Sequence, residues 1–191
     1  MFSDLITSKS RVKLLDVFLV DPLEMYHVRE FVRRTDDEIN AVRRELLFLE
    51  KKGILAKEAR GNRVYYSLSK NYPFYFDLLR LGAKTVGLGR EVLKNRAKIG
   101  KIKYAMFSGR FARRLKKEPN HVDFLIVGVV VLPELALLIR EEEKRLNTEI
   151  NYTVMTEEEF SFRKKKRDPF ILSILSGSRI MLLGDEESML A

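Results

Sequence analysis

Residues 107–128 read FSGRFARRLKKEPNHVDFLIVG, and this stretch decides which fold the second half of the chain is expected to adopt. A glycine turn at Gly109 precedes a basic helix predicted over 110–117. The apolar strand that follows begins His-Val-Asp, and alternation along a strand would place His121 and Asp123 on one face. A glycine turn, a basic helix and two polar groups at the start of a strand have the layout of a site for phosphate and metal.

Strands and helices alternate on both sides of this stretch. Strands are predicted over 101–107, 122–131, 149–155 and 179–183, and helices over 110–117, 133–146, from 156 onwards and over 168–175. Pro133 suits the first turn of a helix, and Thr156 with Glu159 forms a capping box, T-x-x-E. The alternation predicts a small α/β domain with a mixed sheet over residues 101–191.

Several short segments of this domain match a known family: Gly109, the apolar strand that follows Asp123, and the closing segments 168–170 and 181–186. Over about residues 71–187 the sequence resembles the minimal nucleotidyltransferases of the DNA polymerase beta-like superfamily. It is especially similar to archaeal proteins that fuse such a domain to a winged helix. The family motif is an apolar residue, Gly-Ser, a short spacer and Asp-apolar-Asp on a strand, with a third carboxylate on a later strand.

The groups that give this family its chemistry are mostly replaced here. The resemblance places Arg110 at the serine position, His121 at the first metal carboxylate and Asn151 at the third, so that only Asp123 is retained. Nucleotidyl transfer in the family uses two magnesium ions, and magnesium is bound through carboxylates. We therefore expect no catalytic residue, no metal and no cofactor. Together with Gly109, these residues form a degenerate pocket that is expected to sense a nucleotide or another anion, or to support dimerisation.

Two alternatives remain open for this domain. One is a nucleotidyltransferase, or a nucleotide- or RNA-binding protein, that keeps residual activity. The other is a transition-metal site made by His121 and Asp123, although such a pair is more often packed or solvated.

The first part of the chain predicts three helices followed by a hairpin. Helices are expected over 8–19, 26–34 and 35–52, and strands over 54–59 and 63–69. Thr35 with Glu38 has the spacing of a capping box, and Gly53 is a typical helix stop. His27 is expected to be solvated or to cap a helix. Arg60-Gly61-Asn62 forms the turn between the two strands.

The ordered segments that carry a second resemblance are Val28 to Phe31, Val42 to Leu46, Leu49-Glu50, Gly53 to Leu55 and Arg60 to Tyr66. Over about residues 8–69 the sequence resembles the small prokaryotic winged-helix repressors. The resemblance implies a winged helix-turn-helix DNA-binding domain over residues 1–70.

The polarity of the third helix also predicts DNA binding. With Ile39, Val42 and Leu46 inside, its polar residues face outwards, where arginine can bind guanine and asparagine can bind adenine. Arginines beside the hairpin tip suit phosphate contacts. The residues expected to contact DNA are Asp37, Asn40, Arg43, Arg44, Arg60, Asn62 and Arg63. The alternative is that these arginines only solvate a helix that packs on a protein; Leu47 and Phe48 are expected to pack on the second domain or on a partner subunit.

Charge and composition narrow the function further. Of the net charge of +9, residues 71–118 contribute 13 basic and three acidic side chains, which favours a polyanionic partner. The chain contains no cysteine, so disulfides and thiolate catalysis are excluded, and its apolar runs are too short to cross a bilayer. We expect a cytoplasmic α+β protein: a transcriptional regulator that binds double-stranded DNA as a homodimer at a palindromic site. Residues 71–100 are expected to form a linking and dimerisation helix.

Overall fold

The computed structural model describes residues 2–116, 118 and 121–191. The chain divides into two compact units, Met1–Val86 and Gly87–Ala191. Helices and two sheets, one of them mixed, give the α+β class that the sequence predicts. Within the described ranges, every helix falls short of the length and apolar character that crossing a bilayer requires.

The first unit has the element order of a winged helix-turn-helix. Its elements are α1 (Phe2–Leu5), α2 (Lys9–Val20), β1 (Tyr26–His27), α3 (Val28–Thr35), α4 (Ile39–Lys51), β2 (Leu55–Arg60), β3 (Arg63–Leu68) and α5 (Tyr75–Thr85). The antiparallel strands lie in the order β1-β3-β2. Helices α3 and α4 form the helix-turn-helix, and the hairpin β2–β3 forms the wing.

An aromatic cluster joins α2, α3 and strand β1 of this unit. The rings of Phe18 and Phe31 lie 4.8 Å apart, and those of Tyr26 and Phe31 lie 5.5 Å apart. Phe18 and Phe31 are fully buried. Helix α5 approaches α2 closely, because a Cβ at Gly82 would lie 2.9 Å from the Cβ of Leu19.

Two local predictions for this unit need correction. The second helix begins at Val28 rather than at residue 26, because Tyr26 and His27 pair with β3; His27 then caps α3, accepting a hydrogen bond from the Glu30 amide at 3.2 Å. The Thr35–Glu38 capping box is wrong. Thr35 ends α3 and donates its hydroxyl to the Phe31 carbonyl at 2.9 Å, while Glu38 caps α4 by itself.

The second unit is built on a four-stranded sheet. Its elements are α6 (Gly87–Lys94), α7 (Arg96–Ile99), β4 (Gly100–Ser108), α8 (Gly109–Ala112), β5 (Phe124–Val130), α9 (Leu132–Leu146), β6 (Tyr152–Met155), α10 (Glu157–Lys165), α11 (Pro169–Ser176), β7 (Arg179–Leu183) and α12 (Glu186–Leu190). The strands lie in the order β6-β5-β4-β7. Only the β5–β6 pair is parallel, so the sheet is mixed, as predicted.

The segment between the two predicted domains is not one helix. It breaks at Val86, which is extended, and at Gly87, where φ is +57°. The basic helix predicted over 110–117 is the single turn α8, and Arg114 with φ of 53° follows it. Lys117, the predicted end of that helix, lies outside the described residues.

Candidate nucleic-acid interface

Polar residues of α2 and its N-cap hold α4 and the turn before it. The carboxylate of Glu45 accepts from Arg11 Nε at 2.7 Å and from the Ser8 hydroxyl at 2.6 Å. The ammonium of Lys13 donates to the Thr35 carbonyl at 2.7 Å and to Asp37 Oδ1 at 2.6 Å. Lys13 therefore holds the turn that leads into α4, Ser8 and Arg11 hold the middle of α4, and Val42, Leu46 and Leu49 are buried on its inner face.

The outer face of α4 carries Asn40, Arg43 and Arg44, all exposed. Asp37 does not belong with them, and the expectation that it faces outwards is wrong: its side chain is only 14% exposed and is bound to Lys13. Phe48 is 38% exposed, and the guanidinium of Arg11 in the same unit lies 3.8 Å from its ring centroid.

The wing presents Arg60, Asn62 and Arg63 on a two-residue turn in which Gly61 has φ of +55°. Arg60 is engaged locally: its Nε donates to Glu58 Oε1 at 2.7 Å, and this bond lowers the pKa of the Glu58 carboxyl. Arg63 makes no ion pair with any described residue. Arg63 is therefore the more available of the two wing cations.

A groove of about 670 Å³ lies between α3, α4 and the wing. Arg29, Arg43 and Arg63 line it together with Asn62 and Leu47, and none of its described lining residues is acidic. The groove thus joins three of the predicted residues, whereas Asn40, Arg44 and Arg60 lie outside its lining. Arg29 was not among the predicted contacts, although its place two residues before the buried Phe31 could have shown that it faces solvent.

The contacts of Glu45 predict a measurable loss of stability when it is removed. We expect Glu45→Ala to lower the free energy of unfolding by about 2 kcal/mol, because a partly buried, charge-assisted pair of hydrogen bonds is lost. Urea titration followed by circular dichroism measures it. Glu50→Ala is the matched control on the same helix: its 3.0 Å pair with the exposed Lys57 should contribute little, because solvent screens it. Equal losses in the two variants would contradict the assigned role of Glu45.

In the second unit, Gly109 has a packing role. Its amide donates to the Ser178 carbonyl at 2.6 Å, and a Cβ there would lie 2.1 Å from the Ser178 hydroxyl and 3.0 Å from that carbonyl. The preceding Ser108 caps α8 by accepting from the Phe111 amide at 3.1 Å. Arg110 Nη2 binds the Lys116 carbonyl and Glu118 Oε1, both at 2.9 Å. Arg110 is therefore directed at the loop that follows α8.

Asp123 and Asn151 join the start of β5 to the approach of β6. Asp123 is 5% exposed, its Oδ2 accepts from the Asn151 amide at 3.0 Å, and its own amide donates to the Asn151 carbonyl at 2.7 Å. The Asn151 side chain donates to the His121 carbonyl at 3.2 Å. Both His121 and Asp123 precede β5, so the strand alternation that was expected to align them does not apply.

An open pocket of about 470 Å³ is lined by His121, Asn151 and Phe170, but not by Gly109, Arg110 or Asp123. Only two of the five predicted pocket residues therefore meet in it. The set does not fit a pair of magnesium ions, because its one carboxylate is buried and already accepts a backbone hydrogen bond. Among the described residues, no three histidine, aspartate or glutamate side chains gather into a group that could hold a metal.

This chain has limited similarity to known proteins. Neither a protein-family model nor a curated protein sequence matches the chain. Among solved structures, the chain is similar to reduced HlyU from Vibrio cholerae, with 21% identity over 42% of this chain and 83% of that one and a TM-score of 0.33. It is also similar to Rv0081 from M. tuberculosis, with 25% identity over 50% of this chain and 88% of that one and a TM-score of 0.36. Because both TM-scores are low, neither likeness adds to what the residues of this chain show.

Proposed function

We propose that this chain is a cytoplasmic transcriptional regulator that binds duplex DNA through its first unit. The observation that carries the proposal is the groove between α3, α4 and the wing, where Arg29, Arg43 and Arg63 meet without an acidic lining residue. Positive charge on a helix-turn-helix is the electrostatic signature of a DNA-binding surface. The hydrogen bonds from Ser8 and Arg11 to Glu45 on α4 add the rigidity that base recognition requires.

In the proposed complex, α4 enters the major groove and the wing follows the backbone. Arg43 or Arg44 binds the O6 and N7 edge of a guanine, and Asn40 binds the N6 and N7 edge of an adenine. Arg63 contacts phosphate and fixes the register without reading sequence. Arg60, already bound to Glu58, has a smaller part.

The proposal extends to the second unit, which we assign no catalysis and a role in dimerisation or in sensing an anionic effector such as a nucleotide. Its support is that Asp123 serves the packing of β5 on β6 and that Gly109 serves the close approach of Ser178. In a homodimer the segment 71–100 supplies contact surface, and the exposed Phe74 and Phe76 at the start of α5 favour this. A dimer would read a palindromic site.

Residual nucleotidyl transfer is the second candidate, favoured by the retained Asp123 and by the pocket at His121. Incubation with magnesium, labelled nucleoside triphosphates and nucleic-acid acceptors decides between the two. Incorporation that is lost in Asp123→Asn, while that variant keeps its thermal stability, would establish an enzyme.

Fluorescence anisotropy with labelled duplexes tests the proposed function. We expect binding whose log K falls linearly with log salt, with a slope of about −0.9 for each phosphate contacted. A set of randomised duplexes, selected over several rounds, should yield one preferred sequence. The absence of duplex affinity at low salt would refute the proposal.

A further inference from the structure

The second unit carries a strongly basic surface that takes no part in the degenerate pocket. Its members are exposed cations of α6, α7 and the first residues of β4, here called the α6–β4 basic surface: Arg90, Lys94, Arg96, Lys98 and Lys101. None of the five forms an ion pair with another residue in the part of the chain that the structure describes. The next cation, Lys103, differs because it binds Glu157 at 2.8 Å.

The fold separates these cations from the core of the unit. Leu88 and Val92 are buried one turn apart on α6, and helical geometry places Arg90 and Lys94 on the opposite face. On β4, Lys101 and Lys103 are exposed, while Gly100 before them and Ile102 between them are partly covered. The helices and strand thus bury their apolar side and expose like charges on three successive elements that contact one another in chain order.

Neighbouring carboxylates offset little of this charge. Glu91 is the one acidic residue in 87–103, and its carboxylate accepts from the Asn95 side chain at 3.4 Å. Helix α9, which packs on α6 and α7, exposes Glu134 and Glu141 but also Arg140 and Lys144. Uncompensated like charges repel one another and destabilise the compact state, so their clustering indicates that an anionic partner relieves the repulsion.

We infer that the α6–β4 basic surface is a second contact for the phosphate backbone of duplex DNA, one that binds without regard to base sequence. The choice of duplex DNA as the polyanion rests on the proposed function of the first unit. Flexible lysines and arginines spread over a helix face and a strand suit the evenly spaced charges of a nucleic-acid backbone, and contacts of this kind add affinity rather than specificity.

The test uses the full chain with four substitutions in this surface: Lys94→Gln, Arg96→Gln, Lys98→Gln and Lys101→Gln. The matched control removes four exposed cations elsewhere in the same unit: Arg140→Gln, Lys144→Gln, Lys165→Gln and Lys166→Gln. Circular dichroism checks that both variants are folded. Anisotropy with a long duplex then gives the salt slope, which we expect to fall in magnitude by about 2–4 in the surface variant, with at least about a tenfold loss of affinity. The control should change far less, and the preferred sequence should stay the same.

Each of the remaining outcomes either supports the inference or overturns it. A surface variant that binds like wild type, while Arg43→Ala with Arg63→Ala loses binding, overturns this inference and leaves the proposed function standing. If instead the surface variant loses duplex binding while Arg43→Ala with Arg63→Ala binds like wild type, the α6–β4 basic surface is supported and the groove is refuted as the contact. Equal losses in the surface variant and in its control overturn the inference, because total charge alone would explain them. Loss of binding to anionic phospholipid vesicles without loss of duplex binding would identify a membrane surface instead and would also overturn it.

Discussion

Replacing Arg43 and Arg63 together by alanine is expected to weaken duplex binding by about 2–4 kcal/mol, or roughly 30- to 1,000-fold in Kd. The two side chains come from α4 and from the wing, and they line one groove without an acidic neighbour in its lining. Arg43→Ala alone should weaken binding to the preferred sequence more than to random duplex, because Arg43 lies on the helix face proposed to read bases. Arg63→Ala should weaken both equally and reduce the salt slope by about one.

The matched control for this double variant removes two cations from α9. Arg140 and Lys144 are exposed, one turn apart and on the helix face opposite the buried Leu135 and Ile139. Alanine at both positions should leave affinity within about twofold of wild type, since exposed charges away from the contact act only through a screened field. If the control lost as much affinity as the groove variant, binding would depend on net charge and the groove would have no special role.

Glu142→Ala is expected to destabilise the second unit by about 3 kcal/mol. Glu142 lies on α9, is 5% exposed, and binds Arg145 through Nη2 at 2.6 Å and Nε at 2.8 Å. Arg114 Nη2 lies 3.4 Å from the same carboxylate, and the backbone of Leu88 also donates to it. Removing one partner of a buried pair leaves uncompensated charge and costs about 3–5 kcal/mol; we take the lower end because both arginines are partly exposed.

Urea denaturation followed by circular dichroism measures this loss, and amide hydrogen exchange assigns it to residues 87–191. Glu141→Ala is the matched control, because Glu141 is exposed on the same helix; it should change the unfolding free energy by less than about 0.5 kcal/mol. Indistinguishable midpoints for the two variants would show that Glu142 is not a stabilising contact.

The same carboxylate gives the second unit a pH dependence. Burial by itself raises the pKa of Glu142, but the hydrogen bond and charge of Arg145, the charge of Arg114 and the Leu88 amide outweigh it and hold the pKa below the usual 4.5. The unfolded state therefore binds a proton first as pH falls. The stabilisation is fully present above pH 4.5 and is lost as pH falls through the depressed pKa, so wild type should converge on Glu142→Ala in strong acid.

The order of elements in the first unit could be predicted from the sequence because it rests on local signals. Apolar periodicity gave α2, α3 and α4, and the glycine at 61 gave the wing turn. The Thr35–Glu38 spacing gave a wrong cap because α3 runs on to Thr35 and ends at Asp36 in a left-handed conformation. A short motif cannot show whether its first residue, here Thr35, belongs to the end of the preceding helix or caps the next one.

The features that the sequence did not predict depend on contacts between residues that are distant along the chain. Residues 71–93 break into α5 and α6 at Gly87, where a Cβ would lie 2.7 Å from Glu142 Oε1, far along the chain. The five residues predicted to form the degenerate pocket do not all meet, because Asp123 accepts a hydrogen bond from the Asn151 backbone and Arg110 donates to the following loop. Asp37 likewise turned inwards because Lys13 on α2 binds it.

Site-specific photo-crosslinking tests the central claim, that duplex DNA contacts the outer face of α4, most directly. A benzophenone side chain placed at Asn40, exposed in the first turns of α4, is compared with one placed at Lys144, exposed on α9. With the preferred duplex and ultraviolet light, we predict efficient crosslinking from position 40 and little from position 144. Crosslinking from position 144 alone, or none from position 40 under conditions where the duplex is bound, would contradict the account.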